Sequence, residues 1–232
     1  MSRSCLHIVT CAALLACGSA RTAVSQEFTP RALSPFAAAK ARTLLRERLP
    51  CLGCHQLDGE GGRLGPDLAA PSATNATLVY AMIRDPQRMR PGSAMPKIPM
   101  ASETLTLVAS YVVARRGSPA GNLTIPPTRD SLPRDTHAIY LTFCAGCHGP
   151  TGRGDGPNAK FLPVRPAVHA DGKAMSERSD DMLFDAIAAG GYVLGRSNRM
   201  PGFGATLTAA EIRGLVRYIR ELCRCEGPAW SQ

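Results

Sequence analysis

The sequence predicts an all-α chain made of two tandem helical units. Three observations carry that expectation. From about residue 30 the same order of features runs twice along the chain. Each pass contains Cys-x-x-Cys-His, at 51–55 and again at 144–148. No segment of useful length reads as a strand.

Residues 1–20 have the make-up of an export signal. Arg3 supplies the positive start, and the apolar stretch Ile8 to Ala16 is short for a membrane span. Two exits fit. Gly18-Ser19-Ala20 offers small residues for ordinary cleavage. Leu14-Leu15-Ala16-Cys17 resembles a lipoprotein box, in which Cys17 would carry a lipid. The mature body is then expected in the periplasm, touching the membrane only through a lipid on Cys17.

The first unit is expected over 31–117. Ser34-Pro35 starts a helix running towards Arg48, because Pro suits the first helical position. After the motif come a Gly-rich loop with a Pro, a short helix, a Met-Pro pair and an amphipathic helix from Ser102 to Arg116. Four prolines and two glycines between Gly117 and Pro133 mark a linker over 118–133. The second unit, 134–225, repeats the order. A helix starts near Asp135, and the closing helix runs from Thr208 to Leu222, where Thr208-x-x-Glu211 forms a capping box. Residues 226–232 are a tail.

Cys51-Leu52-Gly53-Cys54-His55 and Cys144-Ala145-Gly146-Cys147-His148 have the form of c-type haem attachment sequences. Thiols three positions apart lie about one helical turn from each other, so both can join one edge of a porphyrin. The next residue, His, then binds the iron. One chance match has a probability on the order of 1 in 100, and two are far rarer. A zinc site would want the Cys pairs about 15–20 residues apart, a redox dithiol a βαβ setting, and plain disulfides leave the histidines unexplained. Two covalently bound c-type haems are therefore expected.

His55 and His148 each leave a sixth iron position. Met95, in Pro91-Gly92-Ser93-Ala94-Met95-Pro96, and Met200, in Asn198-Arg199-Met200-Pro201-Gly202-Phe203, are the candidates. A Met in a Pro-flanked loop does not belong to a packed helix face, and thioether ligation raises the potential. The rivals are Met100 and Met89 in the first unit, and Met175 and His169 in the second. His137 and His169 are expected as surface or helix-packing residues. Each axial His also needs an acceptor for its second ring nitrogen: a carbonyl near Gly65-Pro66 in the first unit, one at Pro163 or Pro166 in the second.

Aromatic residues make up 5% of the chain, few for two cores, and a buried haem would supply the missing apolar surface. The net charge is +9. Residues 31–116 hold 12 basic and 6 acidic side chains, residues 129–226 hold 13 and 11. Such an excess is either a solvated face or a docking face for an acidic redox partner or an anionic lipid surface. Basic and aromatic residues are not interleaved, so nucleic acid is not an expected partner.

These residues resemble the class I cytochrome c family, in a tandem two-haem form similar to the cytochrome c4 group. The resemblance covers about Pro35 to Arg116 and Arg134 to Leu222. Cys51 to His55, Gly65-Pro66-Asp67-Leu68 and Pro91 to Pro96 resemble subunits or fused domains of respiratory oxidases and reductases. Cys147-His148-Gly149 with Gly152-Arg153-Gly154-Asp155-Gly156 resembles bacterial electron carriers. The resemblance implies helices wrapped round each haem, His/Met ligation and one-electron exchange between respiratory redox partners, as a carrier or as a tethered subunit of a larger complex. The halves are less alike than in the c4 pattern, the second loop is longer, and a C-terminal tail is added. A haem enzyme such as a two-haem peroxidase is the alternative; it needs an open or releasable sixth site with an acid or base beside it. Cys223 and Cys225 are expected in a structural disulfide, with each other or between molecules.

Overall fold

The computed structural model describes residues 24–125 and 135–231. The expected signal with Cys17, and the Pro126 to Pro133 part of the expected linker, lie outside these residues. The described chain is mostly helical. Among the described residues, no helix is long and apolar enough to cross a membrane.

The first half opens on β1 (Val24–Glu27). Next comes α1 (Pro35–Thr43), which starts at Ser34-Pro35: Ser34 Oγ accepts the Ala37 N–H at 3.2 Å, closing one of the orphan donors of the first turn. The helix widens into a π-turn over Leu44–Arg48 and delivers the chain to a 3-10 turn, Pro50–Gly53, that carries Cys51. β2 (Gln56–Leu57) and β3 (Glu60–Gly61) make a minimal hairpin. Then follow α2 (Ala76–Arg84), capped by Asn75, α3 (Pro86–Met89) and α4 (Ser102–Arg116), which ends at Gly117 in the left-handed region, φ +62°. β4 (Asn122–Ile125) pairs antiparallel with β1, Val24 opposite Ile125.

The second half begins with α5 (Thr136–Phe143), capped by Asp135, and α6 (Ala145–His148). After a long loop come α7 (Gly172–Ser176), α8 (Asp180–Ala189) and α9 (Ala209–Cys223). Thr208 and Glu211 form the expected capping box. Cys223 and Cys225 are bonded to each other at the end of α9, across Arg224 in the left-handed region.

Each half packs its closing helix on its opening helix. In the first, Ala41 and Leu45 of α1 meet Val108, Tyr111 and Val112 of α4, with Leu52 and Leu57 from the motif and its hairpin. In the second, Ile139 and Tyr140 of α5 meet Ile212, Leu215, Val216 and Ile219 of α9, with Met175, Leu183, Ile187, Phe203 and Leu207. Each fully buried aliphatic of this kind contributes about 1.5–3 kcal/mol.

Two expectations are corrected. The chain is not free of strands: part of the segment read as linker, Asn122–Ile125, is β4, and it ties down the segment before α1. Its four residues are too few for alternation to show in the sequence. The Phe28 N–H donates to Thr77 Oγ1 at 2.9 Å, and Thr77 Oγ1 donates to the Gly121 carbonyl at 2.6 Å, so α2 pins both ends of this strap. Second, α4 is not one-faced. Its residues Val108 to Val113 are all buried, because Phe28, stacked on Tyr80 at 4.3 Å, covers its outer side together with Ala76. The Arg31 N–H reaches Ser110 Oγ at 3.0 Å on that side.

The halves touch through their motif loops. Gly53 and Gly146 hold the same position in the two pentapeptides. A Cβ on Gly53 would overlap the Arg199 carbonyl, and a Cβ on Gly146 would stand 2.6 Å from Leu64 Cδ1. Asn198 Nδ2 donates to the Arg46 and Leu49 carbonyls at 3.0 and 3.3 Å, and the Lys97 N–H donates to Thr206 Oγ1 at 2.8 Å. An ion chain of Arg115, Asp58, Arg46, Glu60 and Arg199 runs along the same side.

Backbone cannot yield as a side-chain tip can. Gly53→Ala is therefore expected to cost about 1–3 kcal/mol in denaturant unfolding, and Gly146→Ala less than about 1 kcal/mol, because Leu64 can rotate and Ala favours α6. Equal losses would contradict this packing.

Candidate haem sites

Both pentapeptides fold into the same turn. In the first, the Cys54 and His55 N–H groups donate to the Cys51 carbonyl at 3.2 and 2.9 Å; in the second, those of Cys147 and His148 donate to the Cys144 carbonyl at 3.1 and 2.9 Å. The turn sets two thiols on one side and sends the imidazole onward. All four cysteines are free thiols.

The following loop receives each imidazole. His55 Nδ1 lies 2.7 Å from the Pro66 carbonyl, and His148 Nδ1 lies 2.8 Å from the Ala167 carbonyl. A carbonyl only accepts, so each Nδ1 carries the proton and each Nε2 presents its lone pair. The first acceptor lies within the expected Gly65-Pro66 pair. The second is Ala167, one residue past the expected Pro166. Gly65 leaves no room for a Cβ, which would overlap the His55 ring. Burial lowers the pKa of both imidazoles below the usual value, and the carbonyl bonds oppose the shift in part.

Burial pushes the Cys51 thiol up to about 11 and Cys54 and Cys144 up to about 12. The Cys147 thiol adds to the upward shifts of Cys54 and Cys144. Cys147 is itself raised by burial and lowered by a hydrogen bond from Asn158. A redox dithiol would be shifted the other way. Among the described residues, no group of three or more His, Cys, Asp or Glu side chains is arranged to hold a metal ion.

Met95 is half-buried in the loop between α3 and α4. Gln87 Nε2 staples that loop by donating to the Ser93 and Met95 carbonyls at 2.6 and 3.1 Å. Met89 ends α3, and Met100 lies in the same loop; both are half-buried too. Met200 is half-buried between α8 and α9, its carbonyl accepting the Gly191 N–H at 3.0 Å. Of its rivals, Met175 is a core residue with no exposed surface. His169 lies flat on His148, ring centroids 4.0 Å apart and planes 13° apart. That spacing leaves no room for a porphyrin between the two rings.

His137 is exposed against Tyr218. His169 is no surface residue: it is buried, and its Nδ1 meets the Tyr140 hydroxyl at 3.0 Å. Burial holds the imidazole well below its usual pKa and Tyr140 well above, so both are neutral. Sequence reasoning also passed over Asn158 and Arg199. Asn158 is buried between the motifs, and Arg199 beside Met200 keeps Nε and Nη1 buried with no protein partner. No periodicity marks either residue.

The donor set fits a c-type haem in each half. Paired neutral thiols stand beside an imidazole with a free Nε2, and Arg199 offers donors that carboxylates at a haem's edge would take. Comparison with known proteins agrees for the second half. Residues 131–219 match the family "Cytochrome C oxidase, cbb3-type, subunit III". The match spans less than half of the chain and likens its second half to a c-type cytochrome domain, the kind that holds a covalently bound haem. No curated protein matches the chain. Among solved structures, the KustC0563 c-type cytochrome is 27% identical over 38% of this chain and 98% of its own, with a TM-score of 0.31. The Kuenenia stuttgartiensis reducing HAO-like protein complex Kustc0457/Kustc0458 is 19% identical over 83% of this chain and 98% of that one, also with a TM-score of 0.31.

Tyr140→Phe strips His169 Nδ1 of its partner inside the core. It is expected to cost about 1–3 kcal/mol in denaturant unfolding; an unchanged midpoint would mean that the contact contributes nothing.

Proposed function

We propose that the protein is an exported dihaem c-type cytochrome that passes single electrons between respiratory redox partners. The observation that carries the reading is the equivalence of the two motifs: the same turn, the same free thiol pair, and an imidazole fixed by Nδ1 to a loop carbonyl in each half. The family match reaches only the second half, so the first haem rests on this equivalence.

In this reading Cys51 and Cys54 hold one haem and Cys144 and Cys147 the other, with His55 and His148 as axial ligands and Met95 and Met200 opposite them. A haem held this way supplies a one-electron couple and needs no open iron site. The chain's own part is to fix the imidazoles, keep water from them and raise the potential through the thioethers. Domain boundaries fall at 31–117 and 134–225. Export follows from residues 1–20, and a lipid on Cys17 would make the protein a tethered subunit rather than a free carrier. The basic excess of the first half suits an acidic or membrane-bound partner, where charge mainly speeds encounter.

Intact mass of the mature protein is expected to exceed the polypeptide by two haems, and by one in the variant carrying Cys51→Ala and Cys54→Ala. A single haem in the wild type would overturn the proposal. Met200→Ala is expected to lower the potential of the second-half haem and to remove its Met-to-iron charge-transfer band, with a smaller effect on the other haem. Rapid carbon monoxide binding to one reduced wild-type haem would point instead to an enzyme with an open site.

A further inference from the structure

Asn158 is buried at 1% exposure, and its bonds go to both motif loops. Its backbone N–H donates to the Gly146 carbonyl at 3.0 Å. Its Nδ2 donates to the Gly53 carbonyl at 2.7 Å and to Cys147 Sγ at 3.3 Å. Its Oδ1 accepts the Arg63 N–H at 2.7 Å. The partners dictate which way the amide faces, since Oδ1 meets a donor and Nδ2 meets a carbonyl. One residue thus receives the carbonyls of the two equivalent motif glycines and touches one of the haem-bearing sulfurs.

The surroundings are shaped for this. A Cβ on Gly62 would stand 2.7 Å from Asn158 Oδ1 and would overlap the Gly53 carbonyl. Through one amide group the Gly53 carbonyl, next to Cys54, and the Cys147 sulfur share a single donor, at 2.7 and 3.3 Å. In the dihaem reading Cys54 and Cys147 would carry different haems. The attachment points of the two haems would then flank Asn158.

We propose that this contact is an internal electron-transfer junction and that Asn158 is its positioning residue. The inference rests on the dihaem reading. The step moves one electron: a ferrous iron in one half becomes ferric, a ferric iron in the other becomes ferrous, and no bond or proton changes hands. Asn158 bridges the Gly53 carbonyl to Cys147 Sγ and so fixes the two motif turns against each other. A buried amide satisfied on every side does this without reorganising when the charge moves.

The test uses the full chain carrying its haems. Electrons are injected by flash photoreduction, and the exchange between haems that does not depend on protein concentration is followed optically. Asn158→Leu, similar in size but unable to donate, is expected to slow that exchange by about tenfold or more. Asn198→Ala removes other bonds between the halves, to Arg46 and Leu49, and is expected to leave the rate nearly unchanged. An unchanged rate in Asn158→Leu overturns the junction, and so does an equal loss in both variants, which would make Asn158 ordinary docking. Should Asn158→Leu not fold, paramagnetic resonance of the oxidised wild type decides. Spin interaction is expected between the two ferric haems and is expected to vanish in the variant with Cys51→Ala and Cys54→Ala. A wild type with two haems by mass and no spin interaction overturns the junction while leaving the dihaem reading intact; a wild type with one haem overturns both.

Discussion

Each half of the protein is organised round an imidazole whose Nδ1 is committed to a backbone carbonyl. The bond from His55 to Pro66, at 2.7 Å, closes the loop that follows the first motif. The bond from His148 to Ala167, at 2.8 Å, closes the longer loop of the second. Everything else in a unit serves that geometry. The opening helix packs on the closing helix to hold the motif turn, and in the first half Gly65 lets the loop come up against the ring. A neutral imidazole with one nitrogen occupied has only one way to face, which is what a metal ligand requires.

The chemistry-bearing residues were legible because their spacing is local. A pentapeptide turn is set by sequence neighbours, so Cys51 to His55 and Cys144 to His148 declare their shape without tertiary information. The capping box at Thr208 and Glu211 is legible for the same reason. The acceptor for His55 could be named since the loop is short and Gly65-Pro66 restricts it. In the second half a longer loop lets the carbonyl slip by one residue, to Ala167. What could not be read depends on partners far along the chain. β1 meets β4 only after the whole first unit has folded between them. The burial of α4 on all sides comes from Phe28, which no helical periodicity reports. Asn158 looks like a loop residue until the two motifs are brought together, and His169 gives no sign that it will stack on His148.

Contact between the halves also changes how the charge is to be read. Part of the basic excess of the first half is taken up at home. Arg46 and Arg115 reach Asp58, and Arg46 also faces Glu60. Glu60 then meets Arg199 of the second half at 2.5 Å. Arg46, Arg115 and their acids are partly exposed, so these pairs add little stability in salt. Arg199 is different, since its charge is buried and would be left alone without Glu60. The ion chain therefore acts mainly as a register for docking, keeping the Met200 loop over Gly53.

The strap formed by β1 and β4 fixes where the chain enters the folded body. Val24 lies only seven positions after Cys17, and a fully stretched backbone covers at most about 25 Å over that length. An acyl chain on Cys17 would hold the β1–β4 strap within that distance of the lipid headgroups.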